Sequence, residues 1–379
     1  MPEAAAASRS PLICLTGGGT AGHVVPHLAL LPLLRAAGCR VMYVGGRGIE
    51  QDLIRKVPGI SFHAVATGKL RRYLSFKNVA DLFRIAWGAL QSFAILVRER
   101  PQAVFSKGGY VAVPVCAAAR LLGVPVVTHE SDLTPGLATK LIAPMAARVL
   151  YTFPETGKYL KPGAIHTGTP MRAELLTGDA RKGLAMCGFG ANETLPTILV
   201  MGGSQGALRV NDALLAALPD LVQRARVIHL TGKGKSIPFT NPRYKGFEYV
   251  SEGLADLYAA ADVIVARAGA NSIFEVLALR KPMLLIPLEQ GSRGDQVLNA
   301  ESFQRLGWAK VLRDKDLSAK ALTDALRDLE KNGAAMRTAQ AGFDAASATE
   351  RVVGQILEVA GGTGASKPLL RGAAGGAGQ

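Results

Sequence analysis

The sequence predicts an α/β protein made of two similar, doubly wound, Rossmann-like halves with a ligand cleft between them. Three observations predict it. Short apolar β-type runs alternate with longer helical patterns along the chain, as parallel βαβ units require. The pattern GG[ST]xG occurs twice, as Gly18-Gly19-Thr20-Ala21-Gly22 and Gly202-Gly203-Ser204-Gln205-Gly206, 184 residues apart and each between a strand and a helix. A chain of 379 residues is also longer than one ordinary core accommodates.

In the first half, LICL (12–15) leads into the first Gly-rich turn, and VVPHLALLPLLRAAG reads as a helix ending at Gly38. VMYVG (41–45), AVFS (103–106), VPVVTH (124–129) and RVLYT (148–152) are further strands, and a helix is expected over roughly 79–97. In the second half, TILVM (197–201) enters the second Gly-rich turn. VIHLT (227–231), YVS (249–251), VIVAR (263–267) and PMLLIPL (282–288) follow as strands. The parallel between halves continues. One strand runs into Lys107-Gly108-Gly109 and its counterpart into Arg267-Ala268-Gly269. Each is followed by a helix, a Pro step (Pro125, Pro282) and a buried strand ending in Glu130 or Glu289. The expected domains are residues 1–175 and 190–347, with the boundary in 173–194. A terminal helix near 348–360 should pack back on the first domain, and the Gly/Ala-rich 361–379 reads as a disordered tail.

Apolar residues make up 49% of the chain, which suits globular packing. Cys14, Cys39, Cys116 and Cys187 have no CxxC or Cys/His spacing, and read as small core residues in a reducing cytosol. MPEAAAASRS lacks the apolar core of a secretory signal, and no window reaches the ~18 apolar residues that span a bilayer. A soluble or peripheral protein is the expectation. Residues 1–172 hold 20 Lys/Arg against 8 Asp/Glu, whereas 173–379 hold 24 against 21. An anionic partner is therefore expected for the first half alone, and composition leaves both nucleic acid and an anionic membrane open.

Several residues carry the chemistry. A Gly-rich strand-to-helix turn offers backbone N–H groups and a helix dipole to a diphosphate. The second strand ends in Val44-Gly45-Gly46-Arg47 without the ribose-binding carboxylate of an NAD site, and no GxxxxGK[ST] is present. His23 follows the first loop, where an imidazole can take a proton near neutral pH; the alternative is a helix-start histidine bonded to backbone. Glu130 and Asp132 stand at the carboxyl end of a parallel strand, where α/β ligands bind, or cap the next turn. Glu275, in the first turns of a helix, can accept two ribose hydroxyls or complement the helix dipole. Leu70, Arg71, Arg72, Tyr73, Leu74, Phe76 and Lys77 mix cations with apolar side chains, as a membrane interface does. No nucleic-acid motif accompanies them.

Seven ordered motifs, GGGTAGHVVPHLAL, SKGGYVAVPV, VTHESDLTPG, GTPMR, MGGSQGA, RAGANSIFE and SRGDQVLNA, resemble the bacterial undecaprenyl-diphospho-muramoylpentapeptide β-N-acetylglucosaminyltransferases over residues 12 to 355. The resemblance implies a GT-B fold, a UDP-GlcNAc donor and lipid I as acceptor. It also implies inverting transfer to the muramoyl 4-hydroxyl to give lipid II, with no metal or cofactor. It implies peripheral placement on the cytoplasmic face of the plasma (inner) membrane and no nucleic-acid partner. The family's donor contacts fall on Thr20, Ala21, Gly22, Asp132, Arg172, Ser204, Gln205, Val250, Ala270, Asn271, Ser272, Ile273, Phe274, Glu275, Gln296 and Asn299. Gly108, Gly109, Tyr110 and His129 would surround the acceptor, and His23, then Glu130, would be the general base. The chain departs from the best-known pattern at Ala21, where glycine is common. It departs also at Asp132 and Thr169, which replace asparagines, and at Asp295, which replaces a glutamine. The rival readings are another GT-B enzyme, either a UDP-GlcNAc 2-epimerase, which needs no membrane patch, or a lipid-directed glycosyltransferase with a different acceptor, and a non-catalytic membrane or RNA-binding protein, which needs no pair of diphosphate loops.

Overall fold

A computed structural model describes residues 10–68, 76–190, 194–203, 206–250, 252–290, 293–344 and 346–361, with the side chains of 76–82 and 346 outside the description. The apolar runs form two sheets. The first contains β1 (Leu12–Thr16), β2 (Arg40–Gly45), β3 (Ile60–Ala64), β4 (Ala103–Ser106), β5 (Val126–Glu130), β6 (Arg148–Tyr151) and β7 (Ile165–His166), in the order β3-β2-β1-β4-β5-β6-β7. The second contains β8 (Thr197–Met201), β9 (Arg226–Leu230), β10 (Tyr244–Phe247), β11 (Val263–Ala266), β12 (Met283–Leu285) and β13 (Lys310–Val311), in the order β10-β9-β8-β11-β12-β13. Every pairing is parallel.

Strand order reverses between β1 and β4, and again between β8 and β11. Both halves therefore open a crevice at the carboxyl ends of these strands. Side-chain alternation buries both faces of each sheet. Ile13 and Leu15 meet helix Val25–Ala36 on one face, while Leu12 and Cys14 meet helix Ala112–Leu121 on the other. In the second sheet Ile198 and Val200 pack under helices Leu208–Leu221 and Ala319–Gln340. Leu199 and Met201 pack under helix Ala270–Ala278. All four cysteines are buried and free.

Two connections tie the halves together. Helix Ala180–Cys187 lies on helix Leu254–Ala260 so closely that a Cβ on Gly183 would stand 2.2 Å from the Asp256 carbonyl. The terminal helix Ala346–Val359 returns to the first sheet, where Val352, Val353 and Ile356 join the Ile13 and Leu15 core. The Arg351 Nε–H donates to the Thr167 carbonyl at 3.1 Å and fixes that return.

The expected YVS strand lies instead at Tyr244–Phe247, because its register is set by pairing with β9. The first helix ends at Ala36, with Gly38 in the left-handed region just beyond it, and the expected 79–97 helix extends over Phe76–Glu99.

Candidate active site

The turns after β1, β4 and β5 converge on a cavity of about 430 Å³. The turn after β1 threads residues 17–20 into a single 3-10 turn, Ala21–His23, and then into helix Val25–Ala36. It fits the turn after β4 too closely for side chains. A Cβ on Gly19 would lie 2.6 Å from the Tyr110 ring, and one on Gly109 would lie 2.4 Å from the Gly18 carbonyl. Both glycines have left-handed backbones. Behind this turn the buried Glu50 carboxylate accepts the N–H groups of Gly46 at 3.0 Å and Gly19 at 3.4 Å. Part of the first loop's donor set is thus turned toward a protein carboxylate.

His23 donates its Nδ1–H to the Lys107 carbonyl at 2.9 Å. A carbonyl only accepts, so the proton is on Nδ1 and Nε2 keeps its lone pair. The side chain lines the cavity. Burial lowers its pKa below the ordinary histidine value. The Lys107 hydrogen bond and the Asp132 charge oppose that shift, and the Lys107 and Arg293 charges assist it. His23 is therefore a neutral imidazole with a free acceptor nitrogen at physiological pH, which is what a general base requires.

Glu130 lines the same cavity but its oxygens are committed. Oε1 accepts the Asp132 N–H at 2.9 Å, and Oε2 accepts the Gly136 N–H at 2.9 Å and the Thr139 hydroxyl at 2.6 Å. It organises the loop that presents Asp132. Burial, with help from the neighbouring Glu130 charge, pushes the Asp132 carboxyl up to about 6, against the hydrogen bond from Asn299.

His129 stands behind the cavity, about 1% exposed. Its Nε2–H donates to the Gly168 carbonyl at 2.8 Å, and its Nδ1 faces Lys107 Nζ at 2.8 Å. Of the expected acceptor residues, Gly108, Gly109 and Tyr110 line the space directly.

Two charged cavity residues, Lys107 and Arg293, lie outside the expected site residues. Lys107, 2% exposed, directs Nζ to His129 and, at 2.6 Å, to Ser131 Oγ. Its signal was a cation at the carboxyl end of an apolar strand. Arg293 comes from the other half. It pairs with Asp295 at 2.9 Å, and its guanidinium lies 3.1 Å from where a Gly136 Cβ would be. The sequence marks residues 292–299 only as a polar stretch suited to sugar hydrogen bonding, not as a crossing to the first half.

The donor-site residues divide into three groups. Glu275 is brought to Arg172 (3.6 Å) and the Tyr258 hydroxyl (3.5 Å); burial raises its pKa and Arg172 opposes the rise. It is the sixth residue of helix Ala270–Ala278, beyond the first turn, so the dipole reading loses force. Gln296 accepts the Leu288 N–H at 2.9 Å, while Val250, Ser272, Thr20, Ala21 and Gly22 remain accessible.

A second group bridges the halves. Asn271 donates to the Gly22 carbonyl at 2.8 Å and faces the Thr169 hydroxyl at 3.3 Å. Asn299 is fully buried. Its Oδ1 accepts the Leu133 N–H at 3.0 Å, and its Nδ2 donates to Asp132 at 3.0 Å and to the Ala268 carbonyl at 3.2 Å. Asn299, an expected donor contact, is thus also an interdomain tie. Thr134 to Asp295 (3.0 Å) and Ser302 to Glu155 (2.7 Å) add to the seam.

The third group is core. Ala270, Ile273 and Phe274 are buried, and Phe274 packs edge-on against Phe153 with ring centroids 5.0 Å apart. Ser204, Gln205, Leu70, Arg71, Arg72, Tyr73, Leu74, the side chains of Phe76 and Lys77, and the tail from 362 lie outside the described residues. Among the described residues no group of three or more His, Cys, Asp or Glu could hold a metal ion.

Residues 13–151 match the N-terminal domain of glycosyltransferase family 28 and residues 197–352 match its C-terminal domain. A protein of Lachnoclostridium phytofermentans named UDP-N-acetylglucosamine–N-acetylmuramyl-(pentapeptide) pyrophosphoryl-undecaprenol N-acetylglucosamine transferase is 48% identical over 353 residues, 92% of this chain and 98% of its own. A protein of the same name from Geobacillus kaustophilus is 48% identical over 325 residues, 84% and 90% of the two chains. The crystal structure of Acinetobacter baumannii MurG superposes with a TM-score of 0.71 at 25% identity, covering 92% of this chain and 99% of its own. A kitacinnamycin glycosyltransferase structure shares the fold at 18% identity, with a TM-score of 0.70 over 93% of this chain and 99% of its own.

Proposed function

The chain belongs to glycosyltransferase family 28, and from that premise we propose how its GT-B cleft works. It is a UDP-sugar-dependent N-acetylglucosaminyltransferase of peptidoglycan synthesis, moving GlcNAc from UDP-GlcNAc to lipid I to form lipid II. The observation that carries the mechanism is His23, a neutral base with its lone pair free beside a cavity at the domain seam. Nε2 takes the proton of the muramoyl 4-hydroxyl as that oxygen attacks C1 of the donor sugar in line. The bond from C1 to the diphosphate breaks with inversion, and UDP leaves toward the turn that opens at Gly202-Gly203. Backbone N–H groups and the dipole of helix Leu208–Leu221 offset its charge there. Glu275 holds the ribose hydroxyls, and the carboxylate of Asp132 faces the transferred sugar.

The acceptor's lipid chain needs an apolar exit. Helix Phe76–Glu99 exposes Phe83, Trp87 and Leu90 at helical spacing, by 72%, 59% and 63%. Leu121, Leu137 and Leu141 on neighbouring helices are also exposed, and Leu137 and Leu141 line the cavity. Among the described residues no helix is long and apolar enough to cross a membrane. This face, on the strongly basic half, supports peripheral docking on an anionic membrane at the cytoplasmic face of the inner membrane, with no role for nucleic acid.

One experiment tests acceptor class and surface together. With Phe83, Trp87 and Leu90 changed to Ser, turnover of a short-chain soluble lipid I analogue stays normal. Turnover of vesicle-borne full-length acceptor and sedimentation with anionic vesicles both fall. Transfer to neither acceptor by the unaltered enzyme contradicts the function; unchanged vesicle binding contradicts the surface.

A further inference from the structure

Lys107 is a buried cation that the transfer mechanism above leaves unused. It follows β4 directly, at the point where strand order reverses. Its Nζ is 2.8 Å from His129 Nδ1 and 2.6 Å from Ser131 Oγ. The Gly168 carbonyl holds the His129 proton on Nε2, so Nδ1 is an acceptor and Lys107 donates to it. Two of the three ammonium protons are thereby placed on neutral groups. Among the described residues no carboxylate lies within ion-pair distance of Nζ. A lysine 2% exposed normally has such a counter-ion. This one instead lines the cavity, beside the Gly18-Gly19 and Gly108-Gly109 turns, with Arg293 on the rim from the other half.

We propose that Lys107 is an acceptor-binding residue whose third ammonium proton meets an ionised phosphate oxygen of the lipid-linked acceptor, the direct ion pair that Glu130 and Asp132, farther off, do not make. The inference rests on the transferase reading and deepens it. His129 and Ser131 are then positioning residues that aim the ammonium, and the Lys107 carbonyl holds His23 in its reactive tautomer. One residue therefore couples acceptor charge to the base. A lysine suits this role because it presents a compact charge to a single oxygen.

Without a docked anion, Lys107 holds that proton weakly. Burial drives the Lys107 pKa down to about 7, with the charges of Glu130 and then Asp132 opposing the shift. The other groups facing it are His23, His27 and His129, all with lowered pKa values, and Arg293 on the rim. Asp132, near 6, and His23 titrate on the acid side of this window. The acceptor's diphosphate is a diester and stays fully ionised across neutral pH. A docked anion favours the charged lysine, so binding takes up a proton, and acceptor affinity is greatest below about pH 7 and weakens as pH rises through it.

The test uses the full chain, UDP-GlcNAc and a short-chain lipid I analogue between pH 6 and 9. In the unaltered enzyme the acceptor KM rises with pH from about 7 upward, and the KM for UDP-GlcNAc does not. Lys107→Met raises the acceptor KM about tenfold or more at pH 6.5. It also flattens the pH dependence and leaves the donor KM unchanged. An unchanged acceptor KM, or a pH rise that persists in the variant, overturns the proposal. Should the variant fail to fold, calorimetry of analogue binding to the unaltered enzyme in two buffers of different ionisation heat decides. Uptake of a fraction of a proton at pH 7.5 supports it and none overturns it. Absence of transfer by the unaltered enzyme would instead overturn the transferase reading, which separates the two failures.

Discussion

His23→Ala lowers turnover by about a hundredfold to ten-thousandfold while UDP affinity stays within about twofold. The asymmetry follows from position. The imidazole lines the acceptor cavity of the first half, whereas the donor residues Glu275 and Gln296 belong to the second. The variant leaves the Lys107 carbonyl without this donor, so the folding cost is about 1–3 kcal/mol. Thermal unfolding separates that small loss from the large kinetic one. The pH profile gives the same group away. Because burial lowers the His23 pKa, the base is neutral through physiological pH. In the unaltered enzyme kcat therefore falls only on the acid side, as the imidazole takes a proton below the ordinary histidine range. The variant has no such limb. Turnover that survives the substitution would remove His23 as the base. Glu130 is a poor replacement, since its carboxylate already accepts from three donors of its own loop.

Glu275→Gln raises the KM for UDP-GlcNAc and the inhibition constant for UDP about tenfold to a hundredfold, with little change in acceptor KM. The carboxylate is held between Arg172 at 3.6 Å and the Tyr258 hydroxyl at 3.5 Å, so its direction is set before donor arrives. An amide keeps the shape but loses the charge that strengthens two hydroxyl hydrogen bonds. It also leaves Arg172, whose Nε already has no partner, without its counter-ion. Some stability is lost as a result, and thermal unfolding registers it. If Glu275 were only structural, unfolding would shift and both donor constants would stay put.

The sheet centres were legible because parallel strands buried on both faces read as unbroken apolar runs ending in glycine turns. β1, β4, β8 and β11 are all of this kind. β3, β7 and β13 escaped because they are short or half-exposed outer strands, and β10 was misplaced because its neighbour sets its register. His23, Glu130 and Glu275 were found because strand ends and Gly-rich turns mark the crevice. Lys107 and Arg293 gain their roles from partners distant in sequence, Ser131, 24 residues on, for Lys107 and the loop of the other half for Arg293. Asn299 is expected as a donor contact, and its amide also reaches Leu133, Asp132 and Ala268 across the seam. Such assignments depend on the seam between domains, which no local pattern records.

The central claim is a single in-line transfer in this cleft, and the product's linkage tests it most directly. UDP-GlcNAc labelled with carbon-13 at C1 is turned over with a short-chain lipid I analogue, and the disaccharide is examined by NMR. The account predicts a β-linked GlcNAc on the muramoyl 4-oxygen, with the label at the new glycosidic carbon. An α linkage, a different acceptor oxygen, or label recovered only as free sugar would contradict it.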